Sequence, residues 1–330
     1  MKITKAILHI LDKDSNQLIV SQSPLVLSEF SVKEYLNSVT KRLDKGEFKY
    51  GVLSESSEMM SYINGLDEEF VGQSQHIAQM VFDSMAISED TPSGDLLVCI
   101  LENDKLERFF CMIKFNYKPS YTHMVTYEDD MMLNNIILNK TIFPSTTQKI
   151  EECVIVNLDT KETKIIEKKY SFEGQKRLFF TERLLQIDPP PTVSEKLKIV
   201  KKAVKEVGKR YNEDEYISMS QTQQAIFESI ESEGIIDTEK VAEAVFKDNH
   251  AAKDEYREII IQTKFTEDIP ENIPKYEKKY SKQKFKLDNG IELSIPSDVF
   301  NDQDTVEFIN NPDGTISVII KNIEDIMSRF

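Results

Sequence analysis

Tryptophan is absent from this chain, and cysteine occurs three times, histidine four times and glycine ten times in 330 residues. Three scattered cysteines cannot build a disulfide framework, which points to a reducing compartment such as the cytoplasm. They are also not in CxxC spacing and fall in apolar stretches, where cysteine behaves as a small hydrophobe, so no zinc site is expected. His9, His76, His123 and His250 are far apart and share no HExxH pattern. Scarce glycine argues against phosphate cradles, and neither GxGxxG after a strand nor GxxxxGK[ST] is present. No apolar run approaches the roughly eighteen residues of a membrane span. The opening MKITKAILHILDKD meets Asp12 too soon for a signal peptide. These gaps leave no cofactor, no metal and no catalytic constellation, and the expectation is a protein that is not an enzyme.

What is abundant is acid. Asp and Glu number 57 against 41 Lys and Arg, for a formal net charge of -16, with 40% hydrophobic residues. The hydrophobic content and length suffice for one large or two ordinary cores. A net charge of this sign disfavours nucleic acid as a whole-surface partner, although binding depends on where the charges sit.

Paired runs around short polar connections predict antiparallel hairpins. They are Ile3–Leu11 with Leu18–Ser21, Asp95–Leu101 with Glu107–Phe115, Cys153–Leu158 with Thr163–Lys169, Phe285–Leu287 with Ile291–Ile295, and Thr305–Ile309 with Thr315–Lys321. Helical spacing appears over Ser31–Leu43, with Ser31 as N-cap, and over Asp67–Met85. GQKRLFFTERLLQ reads as a short amphipathic helix, and Lys118–Thr122 before His123 as a polar loop. The fold class is therefore α+β, an antiparallel sheet with helices followed by a helical segment and a small β-hairpin domain. Asp188-Pro189-Pro190-Pro191 is a stiff connector. It predicts an α+β domain over 1–188 and a second part over 189–330, helical across about 193–261 and β-rich across about 284–321.

The charge is unevenly distributed. Lys196–Arg210 carries seven basic residues and one acid, Asn212–Ile260 four and thirteen, and Pro274–Lys286 six and one. In the first of these, Val193, Leu197, Val200, Val204, Val207 and Tyr211 form one apolar stripe. Lys198, Lys202, Lys205 and Lys209 fall nearly opposite it, in a row that could track a phosphate backbone or simply be a solvated face. The stripe is either core or a homodimer seam. It lacks the Trp and Phe of a membrane-surface helix. A second basic cluster, Lys176, Arg177 and Arg183, interleaves with Phe179, Phe180, Leu184 and Leu185, which read as core. The lysines at 275, 278, 279, 282, 284 and 286 read as a linker that discourages edge aggregation. Glu128-Asp129-Asp130 is either an exposed acidic turn or a ligand set for a hard cation.

Four strings carry a resemblance: AILHIL, KYGVLSES at Lys49–Ser56, GQKRLFFTERLLQ, and the tail IELSIPSDVFNDQDTVEFINNPDGTISVIIKNI. In order and spacing they resemble the bacterial nucleoid-associated protein family NdpA/YejK. SGDLLVCILEND and FFCMIKFNYKPSYTHM resemble its low-GC Gram-positive branch. The resemblance implies a cytoplasmic, nucleoid-associated protein that binds double-stranded DNA without catalysing a reaction. It supplies no residue-level contact motif, so the basic candidates rest on the charge reading alone. The alternative is an acidic adaptor, recruited to the nucleoid through a basic DNA-handling partner protein.

Overall fold

The computed structural model describes residues 1–247, 249–263, 265–266, 280–300, 302 and 304–327. The chain divides into two compact units, Met1–Pro190 and Pro191–Phe330. The fold is α+β, and every strand pairing among the described residues is antiparallel.

Unit 1 runs β1 (Lys2–Asp12), β2 (Gln17–Ile19), α1 (Phe30–Leu43), β3 (Lys49–Val52), α2 (Glu58–Asn64) and α3 (Phe70–Ala86). It continues with β4 (Gly94–Glu102), β5 (Arg108–Asn116), β6 (Lys118–Glu128), β7 (Met131–Ile142), β8 (Cys153–Asn157), β9 (Glu162–Ile166), β10 (Lys169–Phe172) and β11 (Gln175–Leu178). A π-helical turn, Phe179–Leu185, closes the unit. Seven strands form one sheet in the order β2-β1-β4-β5-β8-β9-β3. The edge strands are the shortest, which limits the unpaired backbone offered to other chains.

Both faces of this sheet are covered, so its central strands are apolar on both sides. On one face Leu96, Val98, Phe110, Met112 and Val154 pack with Met60 of α2 and with Ile77 and Val81 of α3. On the other, Leu97, Leu101, Ile113 and Ile155 meet Leu36, Val39 and Leu43 of α1. The three cysteines share that second face. Cys99 and Cys111 are cross-strand partners, and the Cys111 and Cys153 sulfurs lie 3.9 Å apart. All three are free thiols in the core, and hydrogen bonding with Cys111, added to by burial, pushes Cys99 well above the usual thiol range. Gly94 opens β4 where a Cβ would meet the Phe115 carbonyl oxygen at 2.3 Å, a distance no side chain tolerates.

A charged group survives in this core because it is fully paired. Lys114 of β5 donates to the Pro92 carbonyl at 3.0 Å and to Asn116 Oδ1, and its Nζ lies 3.6 Å from Glu152 Oε2. Tyr170 and Asn116 also donate to that carboxylate oxygen. Both charged side chains are fully buried, and burial lowers the Lys114 pKa against the opposing pull of Glu152. Removal of either partner would strand the other charge, at about 3–5 kcal/mol.

Several sequence expectations need correcting. Ser31 does not cap α1; Glu29 holds that position without a side-chain cap, and the Ser31 hydroxyl bonds Glu29 Oε1 instead. GQKRLFFTERLLQ is not one helix, because Gln175–Leu178 pairs with β10 and only the residues after it coil. Glu167 holds that turn by accepting the Phe180 and Thr181 backbone N–H groups and the Thr181 hydroxyl. Between β5 and β8 the expected polar loop is a long hairpin, β6 with β7. Its two-residue turn is Asp129-Asp130, both with φ in the left-handed region that Asp tolerates. The local demand of that turn accounts for two of the three clustered carboxylates. Among the described residues no group of three or more His, Cys, Asp or Glu could hold a metal ion.

Unit 2 consists of α4 (Val193–Arg210), α5 (Glu215–Glu233), α6 (Thr238–Phe246) and α7 (His250–Gln262). Two hairpins follow, β12 (Lys282–Lys286) with β13 (Glu292–Pro296) and β14 (Val306–Asn310) with β15 (Ile316–Ile320). Its core gathers Val200, Val204, Ile226, Ile230, Val241 and Tyr256 from the four helices. No helix among the described residues is long and apolar enough to cross a membrane.

His9 and Asp95 of unit 1 give the fold an opposed pH response. His9 is fully buried; its Nδ1 accepts the Ser21 backbone N–H, so Nε2 carries the proton toward Ser74 Oγ, which donates onward to the Val71 carbonyl. Burial lowers the His9 pKa to about 4. From about pH 6.5 down to 4 the unfolded chain binds a proton that the fold refuses, so stability falls with pH, by up to about 3 kcal/mol. Asp95 is raised by burial to about 6, even while it accepts the Tyr117 hydroxyl. There the folded chain takes the proton first, so stability rises as pH falls from about 6 to about 3.8. Asp95→Asn should therefore lose urea stability more steeply than the parent between pH 6.5 and 4. Parallel curves for the two proteins would show that Asp95 does not titrate in this window.

Candidate nucleic-acid interface

The basic helix is built by local chemistry at its start and by burial along its length. Three prolines keep the chain extended up to Thr192, whose hydroxyl accepts the Glu195 backbone N–H at 3.2 Å. Glu195 Oε2 in return accepts the Thr192 N–H at 2.9 Å, which completes a capping box. Lys209 and Arg210 lie in the last turn, where positive charge opposes the helix dipole. Val193, Leu197, Val200, Val204 and Val207 are all at most 5% exposed and pack inside unit 2, against α5 and α7. The stripe read as core or dimer seam is core, and no seam is left free on it.

With that side buried, the other is forced outward. Lys198, Lys202, Lys205 and Lys209 are all exposed, and intervals of four, three and four residues place them within one narrow arc of α4. Their partners divide them. Lys205 Nζ lies 2.5 Å from Glu215 of α5, whereas Lys198, Lys202 and Lys209 form no ion pair among the described residues. The other bases of the segment are less available than a count of charges implies. Lys196 is buried, with Nζ donating to Thr266 Oγ1 at 2.7 Å and lying over the Phe265 ring. Lys201 lies over Tyr280, and Arg210 is held by both Glu206 and Glu255.

The chain's third basic cluster joins this surface, a relation no sequence pattern announced. Gln283 is buried and exchanges two hydrogen bonds with Ser220 of α5, and Gln223 donates to the Lys282 carbonyl. These contacts clamp β12 to α5 and turn Lys282, Lys284 and Lys286 to solvent by strand alternation. Lys284 and Lys201 consequently line one open cleft of about 420 Å³ with Tyr216, Gln223 and Phe285. The strand expected from Phe285 begins earlier, at Lys282, so Lys282 and Lys284 belong to it with Lys286 and not to a linker; Lys275, Lys278 and Lys279 lie outside the described residues. Three acids of the following helices are tied down by local bases. Arg257 is bonded to Glu239 and Asp254, and Lys240 to Glu233.

The family model for the nucleoid-associated protein YejK matches residues 7–328, across both units. The chain belongs to this family. No curated protein matches it.

The remaining candidates, Lys176, Arg177 and Arg183, belong to unit 1, whereas the α4 lysines belong to unit 2. Lys176 is ion-paired to Asp90. Arg183 stacks its guanidinium over Phe172 at 4.9 Å, with a buried Nε that has no partner in the protein. Arg177 is half-buried and meets only the Gln175 side chain, at 3.5 Å. Phe179, Phe180, Leu184 and Leu185 are buried, so these rings are not available to stack on bases.

The capping box positions the whole lysine row, and Thr192→Ala should lower the unfolding free energy by about 1 kcal/mol. Urea denaturation measures this directly. A change of less than a few tenths would mean that the proline run and the buried stripe alone define where α4 begins.

Proposed function

We propose that this chain is a non-enzymatic nucleoid protein of the cytoplasm that holds double-stranded DNA by its phosphates. The grip lies on the exposed face of α4, with the lysines of β12 beside it. The observation that carries this reading is the row Lys198, Lys202 and Lys209, three solvated ammonium groups on one helix face without an acidic partner among the described residues. The family supports it, since its members are described as nucleoid-associated.

The arrangement suits sequence-independent contact. Ammonium groups on flexible stems neutralise phosphate charge without reading base edges, and each contact releases condensed counterions. Lys205 joins by exchanging Glu215 for a phosphate, so its contribution is smaller than that of its neighbours. Of the unit 1 candidates, Arg177 is the most available donor; Lys176 would have to leave Asp90, and Arg183 its place over Phe172.

An overall charge of -16 confines DNA to such a face. At about 0.1 M salt the Debye length is roughly 10 Å, so acids farther than that from the bound backbone are screened. Acidity elsewhere on the chain then orients the protein on DNA more than it opposes binding.

Titration of duplex DNA across a salt series tests the proposal. Replacing Lys198, Lys202, Lys205 and Lys209 with Gln should flatten the slope of log affinity against log salt by about 3 units, roughly one per lost phosphate contact. An unchanged slope and affinity would remove α4 from the interface. No binding by the parent protein at either low or physiological salt would instead favour the adaptor reading. In that case the acidic helices α5 to α7 would engage a basic DNA-handling partner.

A further inference from the structure

The hairpin β6–β7 stands apart from the rest of unit 1. Its strands, eleven and twelve residues long, pair only with each other and not with the seven-stranded sheet. At about 3.4 Å per residue this is an arm of roughly 35 Å. A two-stranded ribbon of this kind is marginally stable in water unless something covers it.

The arm has an apolar face that no other element of unit 1 covers. Strand alternation and the cross-strand register place Tyr121 opposite Leu138, Val125 beside His123 and Ile136, and Tyr127 opposite Met132, all on the same side. The six apolar residues of this face are strongly exposed: Tyr121 75%, Val125 45%, Tyr127 69%, Met132 60%, Ile136 81% and Leu138 45%. Together they hold on the order of 700 Å² of accessible surface, close to the roughly 800 Å² that each partner gives to a stable interface.

Charge along the arm is segregated by end. All its acids, Glu128, Asp129 and Asp130, lie at the tip, and its two lysines, Lys118 and Lys140, lie at the root. Lys118 is shared loosely with Glu151 at 3.7 Å, and Lys140 forms no ion pair among the described residues. The pattern is self-complementary. If two arms pack face to face and run in opposite directions, each acidic tip lies over the other arm's basic root, and the apolar stretches meet between them. A parallel arrangement would stack two acidic tips. A partner of single charge sign would match only one end. Two copies of a chain with net charge -16 also repel unless they meet where acid is locally scarce, and between root and tip this face carries no carboxylate.

We infer that the β6–β7 arm is a homodimerisation device, in which the apolar face of one arm packs antiparallel on the same face of a second copy. The two-fold relation makes the contact isologous and closed, so assembly stops at two. Dimerisation also sets two lysine faces on one particle, which raises avidity for any polyanion they bind. The association itself does not depend on that binding.

Light scattering and sedimentation equilibrium over a concentration series test this, with the full chain and no DNA. The parent should be a dimer at micromolar concentration. Ile136→Asp combined with Tyr127→Asp should weaken association at least tenfold, with circular dichroism and melting temperature otherwise kept. A parent that remains monomeric near 100 µM, or a variant that dimerises as before, would overturn the inference. Orientation is tested by charge exchange. Lys140→Glu alone should weaken the dimer, as should the tip variant Glu128→Lys with Asp129→Asn and Asp130→Asn. Mixing the two variants should restore association as a heterodimer, because one end then sets the intact acidic tip over the intact basic root and the other sets the altered tip over a root with no net charge. Failure of the mixture to associate more strongly than either variant alone would overturn the antiparallel arrangement.

Discussion

Burial of a single stripe on α4 organises unit 2 of this protein. Once Val193, Leu197, Val200, Val204 and Val207 are committed to the unit 2 core, the helix has no rotational freedom left. Its lysines must then face solvent together. The charged face is a consequence of the apolar one. The energy that holds four like charges along one helix comes from hydrophobic packing on its far side, assisted by a capping box and a favourable dipole at the basic C-terminal turn. Exposed like charges repel only weakly in water, so the arrangement is inexpensive to maintain.

The same principle, that each apolar surface finds a cover, explains unit 1. The seven-stranded sheet is closed by α1 on one side and by α2 and α3 on the other, and its buried charged pairs, Lys114 with Glu152 and Lys49 with Glu167, are held by further hydrogen bonds. Against that background the bare face of the β6–β7 arm is anomalous. Large exposed apolar patches on soluble proteins mark interaction surfaces. The arm differs from an aggregation-prone edge in having its charges sorted by end, which selects one partner orientation over others.

The architecture was legible wherever burial imposed a strong pattern. The hairpins β4–β5 and β8–β9 could be read because their runs are apolar around short polar turns, and α3 because Ile77, Val81 and Met85 recur at helical intervals. The arm was missed for the opposite reason. Exposed on both faces, it mixes Tyr, Thr, Val, Asn and Met without a clean alternation, and its Asp129-Asp130 turn resembled a ligand cluster. GQKRLFFTERLLQ misled because Phe179, Phe180, Leu184 and Leu185 suit a helix, whereas backbone pairing with β10 holds the first four residues after Gly174 as strand. Ser31 is a favourable cap residue by type, but the helix begins one residue earlier. At the candidate interface the row Lys198, Lys202, Lys205 and Lys209 followed from periodicity, because a helical repeat converts spacing directly into direction.

By itself, the sequence determined the class of fold, the lack of a disulfide framework, and the side of α4 on which its lysines stand. Each of these depends on composition or on short-range periodicity, which needs no knowledge of distant contacts. Tertiary structure decided which charges are available. It buried Lys196, tied Lys205 to Glu215 and Arg210 to Glu206 and Glu255, left Lys198, Lys202 and Lys209 without an ion pair among the described residues, and brought Lys284 to the cleft beside Lys201. It also gathered three distant cysteines onto adjacent strands and left the β6–β7 arm uncovered. Ion pairing and exposure are set by neighbours far apart in the chain, so no local pattern encodes them.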